Sequence, residues 1–238
     1  MLKDYIFKRK SIRKYKAEKL TEDELNNIKT EATKILPLFP NIKYDIEIVD
    51  QVNNPLKTVS PHYFFFYSED KPGYLENIGF IGEQLSLYLN SRGLGSCWNG
   101  FVKPKKHREG LLPIISMAFG KPDEELFRAE EDFKRKDISE ISNTQTTLID
   151  AARLAPSAVN VQDWYFYRQD DLIHCYHRIM GFPANKLLGT MCQINLGIAL
   201  SHLAVCDQKG EFISWEDHPV LEGKDYFISF KETITKEL

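Results

Sequence analysis

The sequence lacks the spacing patterns that usually mark metal sites and disulfide frameworks. Its four cysteines form no Cys-x-x-Cys pair, and its six histidines show no His-Glu-x-x-His spacing. It also has no apolar run long enough to cross a bilayer, and its basic N-terminus is not followed by an apolar stretch. We therefore expect free thiols, no bound metal, no membrane span and a cytoplasmic location.

A strong charge of either sign is also missing. The net charge is -3 over 238 residues, which gives no general reason to expect a nucleic-acid partner. Hydrophobic residues make up 42% of the chain and charged residues 27%, so the composition is that of a folded globular protein. The length suits one substantial domain or two small ones.

What the sequence does contain is an internal repeat. A shift of 119 positions aligns a helix end and the following strand with a later copy, and a shift of 111 aligns a second helix and strand. The aligned pairs are 35–41 with 154–160, 44–48 with 163–167, 84–90 with 195–201, and 115–119 with 226–230. Such a repeat indicates a diverged duplication, which lets one chain build what otherwise needs two subunits.

Local patterns predict an α+β fold in two related halves, 1–142 and 143–238. Residues 1–16 are expected to form a mostly helical lead-in. Thr21 and Glu24 form a capping box, and the helix that follows is predicted to run to about Leu36 because Pro37 cannot continue it.

The other elements follow from apolar periodicity and turn residues. Five consecutive aromatic residues, 63–67, predict a strand buried on both faces. The remaining predicted elements are strands at 44–49, 114–119, 164–167, 172–176 and 226–230, helices at 78–89, 148–154 and 187–205, and an extended charged arm at 121–140.

Two basic segments are candidates for anion binding. In the first, Arg9, Ser11 and Arg13 stand at alternate positions and can converge on one anion, since arginine grips phosphate with two donors. The alternative is a solvated basic N-terminus, which such runs usually are. The second segment, Phe133–Lys136, is on its own better explained as surface charge.

Two further segments can present backbone or polar groups to a planar ligand. Gly93–Phe101 contains three glycines, so its backbone amides can approach a ligand closely, although a helix cap followed by a turn explains them too. Farther along, Ser157, Asn160 and Gln162 can point polar groups at the edge of a ring. Turn chemistry explains the first two without a ligand, but it does not explain the glutamine.

Together, these segments resemble the flavin-binding nitroreductase family. That family's Arg-Arg-Ser-Ile-Arg-x-Phe signature is similar to Arg9–Tyr15, and its Gly-Leu-Gly-Thr-Cys-Trp segment is similar to Gly93–Trp98. Its Ala-Pro-Ser-x-x-Asn-x-Gln-Pro-Trp motif resembles Ala155–Trp164, with Asp163 in place of the usual proline. The family's late arginine resembles Arg135.

The order of the motifs departs from the family's order, and a duplication accounts for this. The position after the first helix holds Pro37–Asn41, which has lost the serine and glutamine of the motif. In the resembling family, FMN lies at a homodimer interface: one subunit supplies the basic segment, the Gly-rich turn and the late arginine, and the other supplies Pro-Ser-x-x-Asn-x-Gln. The resemblance therefore implies one intact FMN site between two halves of a single chain, in a pseudo-dimer that we expect to be a monomer.

The resemblance also implies the residues and the reaction. The implied FMN-binding residues are Arg9, Lys10, Ser11, Arg13, Asn99, Gly100, Arg135, Pro156, Ser157 and Asn160, with Asn53 as a further candidate at the pyrimidine edge. The implied reaction is ping-pong: NAD(P)H reduces the flavin at N5, and a nitroaromatic, quinone or other small acceptor is then reduced. No catalytic side chain is required, because the flavin carries the chemistry. The alternative is a degenerate scaffold of the same fold without catalytic activity.

Overall fold

The computed structural model describes residues 1–50, 60–100, 102, 108–179, 181 and 184–233, with the backbone alone for 184–187. The chain divides into two compact units, which we call unit 1 (Met1–Asp132) and unit 2 (Phe133–Leu238). The predicted boundary between the two halves lies after residue 142. The basic segment 133–136 was therefore predicted in the first half, whereas the structure places it in unit 2.

Unit 1 is a four-stranded antiparallel sheet with helices. Its elements are α1 (Lys3–Ile6), α2 (Glu22–Ala32), β1 (Tyr44–Asp50), β2 (His62–Ser68), α3 (Tyr74–Ser91), β3 (Gly95–Asn99) and β4 (Leu112–Gly120), and the sheet order is β1-β2-β4-β3. The predicted helical lead-in is wrong beyond α1, because the chain after it is extended and pairs with a later segment through Arg9–Phe127 and Tyr15–Pro122 bridges. Helix α2 has the predicted Thr21 capping box and ends at Ala32, short of Leu36.

Unit 2 repeats this plan. Its elements are α4 (Ile138–Ile141), α5 (Thr147–Arg153), β5 (Trp164–Gln169), β6 (Leu172–Arg178), α6 (Ala184–Cys206), β7 (Glu211–Ile213) and β8 (Lys224–Lys231), and the sheet order is β5-β6-β8-β7. The predicted α+β class is confirmed, and each unit has a four-stranded sheet where three strands were predicted. The short strands β3 and β7 were not predicted as strands.

The likeness of the two units extends to details of hydrogen bonding. Both sheets have a register shift at the same place, in the pairing of the second strand with the last strand. In unit 1 the amide of Phe39 donates to Asn77 Oδ1 at 2.9 Å, and in unit 2 the amide of Ala158 donates to Asn195 Oδ1 at 2.9 Å. Each asparagine lies on the long helix of its unit, and the two loop residues are 119 positions apart. This shared contact supports the duplication inferred from the sequence. It also corrects the predicted helix alignment, because it pairs Asn195 with Asn77 and not with Gln84.

The core of unit 1 is aromatic. Strand β2 is buried along its whole length, and Phe64 stacks on Phe119 with ring centroids 4.1 Å apart. Each such buried side chain contributes roughly 1.5–3 kcal/mol through apolar burial. Helix α3 ends where Gly93 adopts a φ of 76°, a conformation that glycine takes without strain.

Within the described residues, one helical stretch is apolar and long enough to span a membrane by length and composition alone. It is Leu188–Cys206 of α6, and 67% of it is buried inside the protein. A core helix of a soluble protein has the same properties, so this stretch is weak evidence for a span.

Candidate functional site

The first basic segment is held along both sides by backbone hydrogen bonds. The amide of Ile12 donates to Ser96 O of β3 at 2.9 Å, and on the other side the amide of Arg128 donates to Lys8 O at 2.9 Å. Gly95 allows this approach, because a Cβ at that position would lie 2.6 Å from the Ile12 side chain. The segment is therefore a fixed, extended strip along the edge of the sheet.

A single carboxylate, that of Glu124, contacts both the backbone and a lysine of this strip. Glu124 accepts hydrogen bonds from the amides of Arg13 (2.7 Å) and Lys14 (3.0 Å), and it lies 3.3 Å from Lys10 Nζ. Partial burial raises the pKa of Glu124, but the two amides and Lys10 outweigh burial and lower the pKa overall. Lys10 is thus committed to an ion pair within the protein.

Arg9 is a fully buried cation. Its side chain is 1% exposed, and Nε lies 3.4 Å from Oε1 of Glu83, which is completely buried on α3. Arg9 Nη2 donates to Ser11 Oγ at 3.4 Å, whereas Nη1 has no hydrogen-bond partner in the part of the chain that the structure describes. A buried donor of this kind is costly, and because Arg9 is almost fully enclosed it contributes positive charge to its surroundings rather than a donor that a ligand can reach.

Arg128 also lies beside Arg9, although no sequence motif marks it as a site residue. Its Nε donates to the carbonyl of Arg9 at 3.0 Å. Burial lowers the pKa of Arg128, and the positive charges of Arg9 and Arg13 lower it further. Three guanidinium groups are therefore electrostatic neighbours in unit 1, where Arg13 is exposed and Arg128 half-buried. We call Arg9, Ser11, Arg13 and Arg128 the arginine cluster.

Strand β3 faces the arginine cluster with a thiol. Burial raises the pKa of Cys97, while Arg13, Arg9 and a hydrogen bond with Ser11 act in the opposite direction. The strand ends at Asn99, whose carbonyl accepts from Ser116 Oγ at 3.0 Å, and Gly100 forms the turn that follows. The predicted Gly-rich turn is thus mostly a strand, and its two candidate residues lie at the end of that strand.

In unit 2, the Pro-Ser-x-x-Asn-x-Gln motif forms a strained turn. Val159, Asn160 and Gln162 have φ values of 45°, 59° and 49°, in the left-handed region that residues other than glycine avoid. Such conformations cost about 1–3 kcal/mol each and persist only when the surroundings enforce them. Val159 is also 82% exposed, which leaves an apolar side chain at the tip of the turn.

The polar groups of this turn bind the second basic segment. Arg135 Nη1 donates to Asn160 Oδ1 and Nη2 to Leu154 O, both at 3.0 Å. The amide of Lys136 donates to Gln162 Oε1 at 2.7 Å, and Lys136 Nζ donates to Gln162 O at 3.1 Å. The hydrogen bonds to Lys136 give the Gln162 side chain a role that turn chemistry alone does not provide.

Ser157 also acts inside the turn. Its Oγ accepts from the amide of Gln162 at 3.0 Å, and the amide of Asn160 donates to the Ser157 carbonyl at 3.0 Å. Pro156, immediately before it, is half-buried. The motif therefore forms one hydrogen-bonded unit together with segment 134–136.

Asp163, which stands where the resembling family has proline, has a structural role. Its side chain is 3% exposed, and Oδ1 accepts from Asn195 Nδ2 at 2.8 Å. The same asparagine accepts from Ala158 in the turn. In unit 1 the corresponding Asn77 Nδ2 has no hydrogen-bond partner among the described residues. Asp163 thus accepts the hydrogen bond that Asn195 has left to donate, and Asn195 links the turn to α6.

The structure brings the predicted residues together in two sets. Unit 1 gathers Arg9, Ser11 and Arg13 around Arg128, with Lys10 turned to Glu124. Unit 2 gathers Pro156, Ser157 and Asn160 with Arg135, which the resemblance had grouped with the N-terminal arginines. Asn53 lies outside the described residues. The contact of these residues with a flavin remains a prediction.

The two four-stranded α+β units match the nitroreductase-like fold. The chain belongs to a nitroreductase family: the family model described as "Putative TM nitroreductase" matches residues 1–206. No curated protein matches the sequence.

One solved structure shows the same fold over nearly the whole chain, and two shorter ones resemble part of it. A putative nitroreductase from Thermotoga maritima MSB8 is 19% identical with a TM-score of 0.67, covering 97% of this chain and 93% of that one. An FMN-dependent nitroreductase from Clostridium difficile R20291 is 18% identical with a TM-score of 0.47, covering 58% of this chain and 98% of that one. A nitroreductase family protein from Clostridium difficile 630 is 16% identical with a TM-score of 0.49, covering 61% and 98%.

Proposed function

We propose that this chain is a cytoplasmic, monomeric FMN-dependent oxidoreductase of nitroreductase type. It takes electrons from NAD(P)H and gives them to a small acceptor, such as a nitroaromatic or a quinone, in two separate half-reactions. Family membership supports the general class. The observation that carries the cofactor assignment is the arginine cluster of unit 1.

The arginine cluster fits a phosphate group. A phosphate monoester has a charge of about -1.5 to -2 at neutral pH and accepts hydrogen bonds from several directions. Arg13, which is exposed, and Arg128, which is half-buried, supply guanidinium donors, and Ser11 adds a hydroxyl. The enclosed Arg9 contributes its positive charge from behind them.

Residues of unit 1 hold the phosphate end, and the backbone at Asn99 and Gly100 meets the ring edge. The family resemblance implies Pro156, Ser157 and Asn160 as further residues that contact the ring. FMN, when bound, supplies the redox chemistry by accepting a hydride and passing electrons on. The protein's own residues bind and orient it.

The test is flavin binding and reduction by the purified chain. We expect FMN to bind with quenching of its fluorescence, and the bound flavin to bleach anaerobically on mixing with NADH or NADPH. In Arg128→Gln, FMN affinity should fall by about 10- to 100-fold, because charged hydrogen bonds contribute about 1.5–3 kcal/mol. Lys14→Gln is the matched control, since it removes an exposed positive charge from the same strip and should change affinity by less than about threefold.

The alternative is a flavin-free scaffold, and one observation favours it. Asn160 and Gln162 already hydrogen-bond to segment 134–136 within unit 2, so the motif has a structural use without any ligand. A wild-type protein that binds neither FMN nor riboflavin at micromolar concentration would support the scaffold and overturn the proposed function.

A further inference from the structure

The two basic segments are copies of one another. Residues 7–12 read Phe-Lys-Arg-Lys-Ser-Ile, and residues 133–138 read Phe-Lys-Arg-Lys-Asp-Ile, so five of six positions are identical. Unit 2 begins at Phe133, the first residue of the second copy. The segment that includes Arg135 is thus the N-terminal segment of the second half, and Arg135 is the counterpart of Arg9.

The second copy has lost the features that suit it to an anion. Ser11 of the first copy corresponds to Asp137, and Arg13 corresponds to Ser139. One hydroxyl donor is therefore replaced by a carboxylate, and one cation by a neutral side chain. The Asp137 amide donates to Glu140 Oε1 at 3.3 Å, at the start of α4, so the chain turns into a helix where the first copy stays extended.

The cationic side chains that remain are engaged with the strained turn. Both terminal nitrogens of Arg135 donate to acceptors of unit 2, one of them on Asn160. Lys136 contacts Gln162 through its amide and its Nζ. The two contacted residues, Asn160 and Gln162, both have positive φ.

We propose that segment 133–136 is a former anion-binding element that now clamps the turn 157–162, so that Arg135 and Lys136 position the turn for the flavin ring. This inference rests on the proposed function for its last step, because the turn is positioned for a ligand only if flavin binds. The clamp itself does not depend on flavin. Arg135 is then a positioning residue and not a direct FMN ligand as the resemblance implies, and Arg128 is the arginine that joins Arg13 at the phosphate.

The clamp is tested first in the flavin-free protein. The amides of Asn160, Val161 and Gln162 are hydrogen-bonded within the turn, so their hydrogen exchange reports its closure. In Arg135→Gln we expect at least tenfold faster exchange at these amides, with unit 1 unchanged. Arg135→Lys should behave alike, because an ammonium group cannot span both acceptors. Wild-type exchange rates in both variants would overturn the clamp.

The second test separates positioning from phosphate binding. FMN differs from riboflavin only by its phosphate, so the ratio of their affinities measures phosphate contacts. We expect Arg135→Gln to weaken both flavins by the same factor, about tenfold, and Arg128→Gln to weaken FMN alone. If Arg135→Gln lowers the FMN-to-riboflavin ratio as Arg128→Gln does, Arg135 is a phosphate ligand and the positioning role is wrong. If the wild type binds no flavin, the proposed function fails, while hydrogen exchange still decides the clamp.

Discussion

Arg9 and Arg135 occupy the same place in two copies of one sequence pattern, yet their surroundings differ. Arg9 is buried against Glu83 in a strip that stays extended. Arg135 is partly exposed and donates to a carboxamide and a carbonyl of a neighbouring turn. The same local sequence therefore supplies the arginine in both units, whereas its tertiary partner decides whether it forms a buried ion pair or hydrogen-bonds to a turn.

The turns of the two units also differ, and here unit 2 has the special conformation that unit 1 lacks. At the shift of 119, Val159 of the unit 2 turn corresponds to Pro40 in unit 1. Proline has φ fixed near -65°, so unit 1 cannot form a left-handed turn at this position. Unit 1 has therefore kept the cationic strip without the turn, and unit 2 has kept the turn with an altered strip. Each unit retains what the other has lost.

The largest expected effect comes from removing the buried cation. Arg9→Met leaves the Glu83 carboxylate buried without its ion-pair partner, which should cost about 3–5 kcal/mol of unfolding free energy. Arg135→Met removes hydrogen bonds at a partly exposed site and should cost about 1–3 kcal/mol. Urea unfolding measures both.

The matched control for this pair is the double variant Arg9→Met with Glu83→Gln. It removes both charges together and should recover part of the stability lost in Arg9→Met. Equal losses in Arg9→Met and Arg135→Met would show that the two copies have the same energetic role, contrary to the comparison.

A second, smaller effect is expected at the tip of the turn. Val159→Pro gives unit 2 the residue of unit 1 and forbids the positive φ, so it should destabilise unit 2 by roughly 2–4 kcal/mol. Val159→Gly relieves strain and should stabilise it by about 0.5–1 kcal/mol, even though glycine has a larger unfolded-state entropy. Thermal unfolding monitors both variants. Pro40→Val is the control in unit 1, and a loss as large as that of Val159→Pro would refute the assigned difference.

Much of this fold can be predicted from the sequence, and the limits have physical causes. The aromatic run 63–67 and the helix through 78–89 are long and have strong apolar patterns. Burial of these apolar side chains determines their secondary structure, so the sequence predicts both elements. Strand β3 was missed because its glycines suggest a turn, while its strand character comes from pairing with β4. Arg128 was missed because its partner Arg9 is 119 positions away and no local pattern marks the pair. Arg135 was predicted to bind FMN from the order of the motifs. Its partner in the structure is Asn160, 25 positions later in the chain, and no local pattern predicts that contact.

The smallest effect is a difference in acid sensitivity between the buried histidines of the two units. His62 on β2 accepts from the Leu20 amide through Nε2 and faces Asp50 Oδ1 at 3.0 Å through Nδ1, whereas His174 on β6 contacts the neutral Ser229 Oγ at 2.8 Å. Burial lowers the pKa of both, Asp50 opposes this at His62, and His218 lowers the pKa of His174 further. The unfolded chain therefore binds protons more readily than the native one below the ordinary histidine pKa of about 6.5, so stability is full above that pH and falls as the pH drops through it.

Urea midpoints between pH 7.5 and 5.5 test this difference. His174→Gln should flatten the decline, because it removes a group whose pKa only native burial and a like charge depress. Asp50→Asn should steepen the decline, since it removes the carboxylate that helps His62 accept a proton. The pKa of the Asp50 carboxyl is lowered, chiefly through its hydrogen bond with Lys19. Asp50 therefore titrates below pH 5.5 and does not itself contribute to the decline between pH 7.5 and 5.5. If the decline in His174→Gln matches that of the wild type, His174 makes no contribution to acid sensitivity, and the difference assigned to it is wrong.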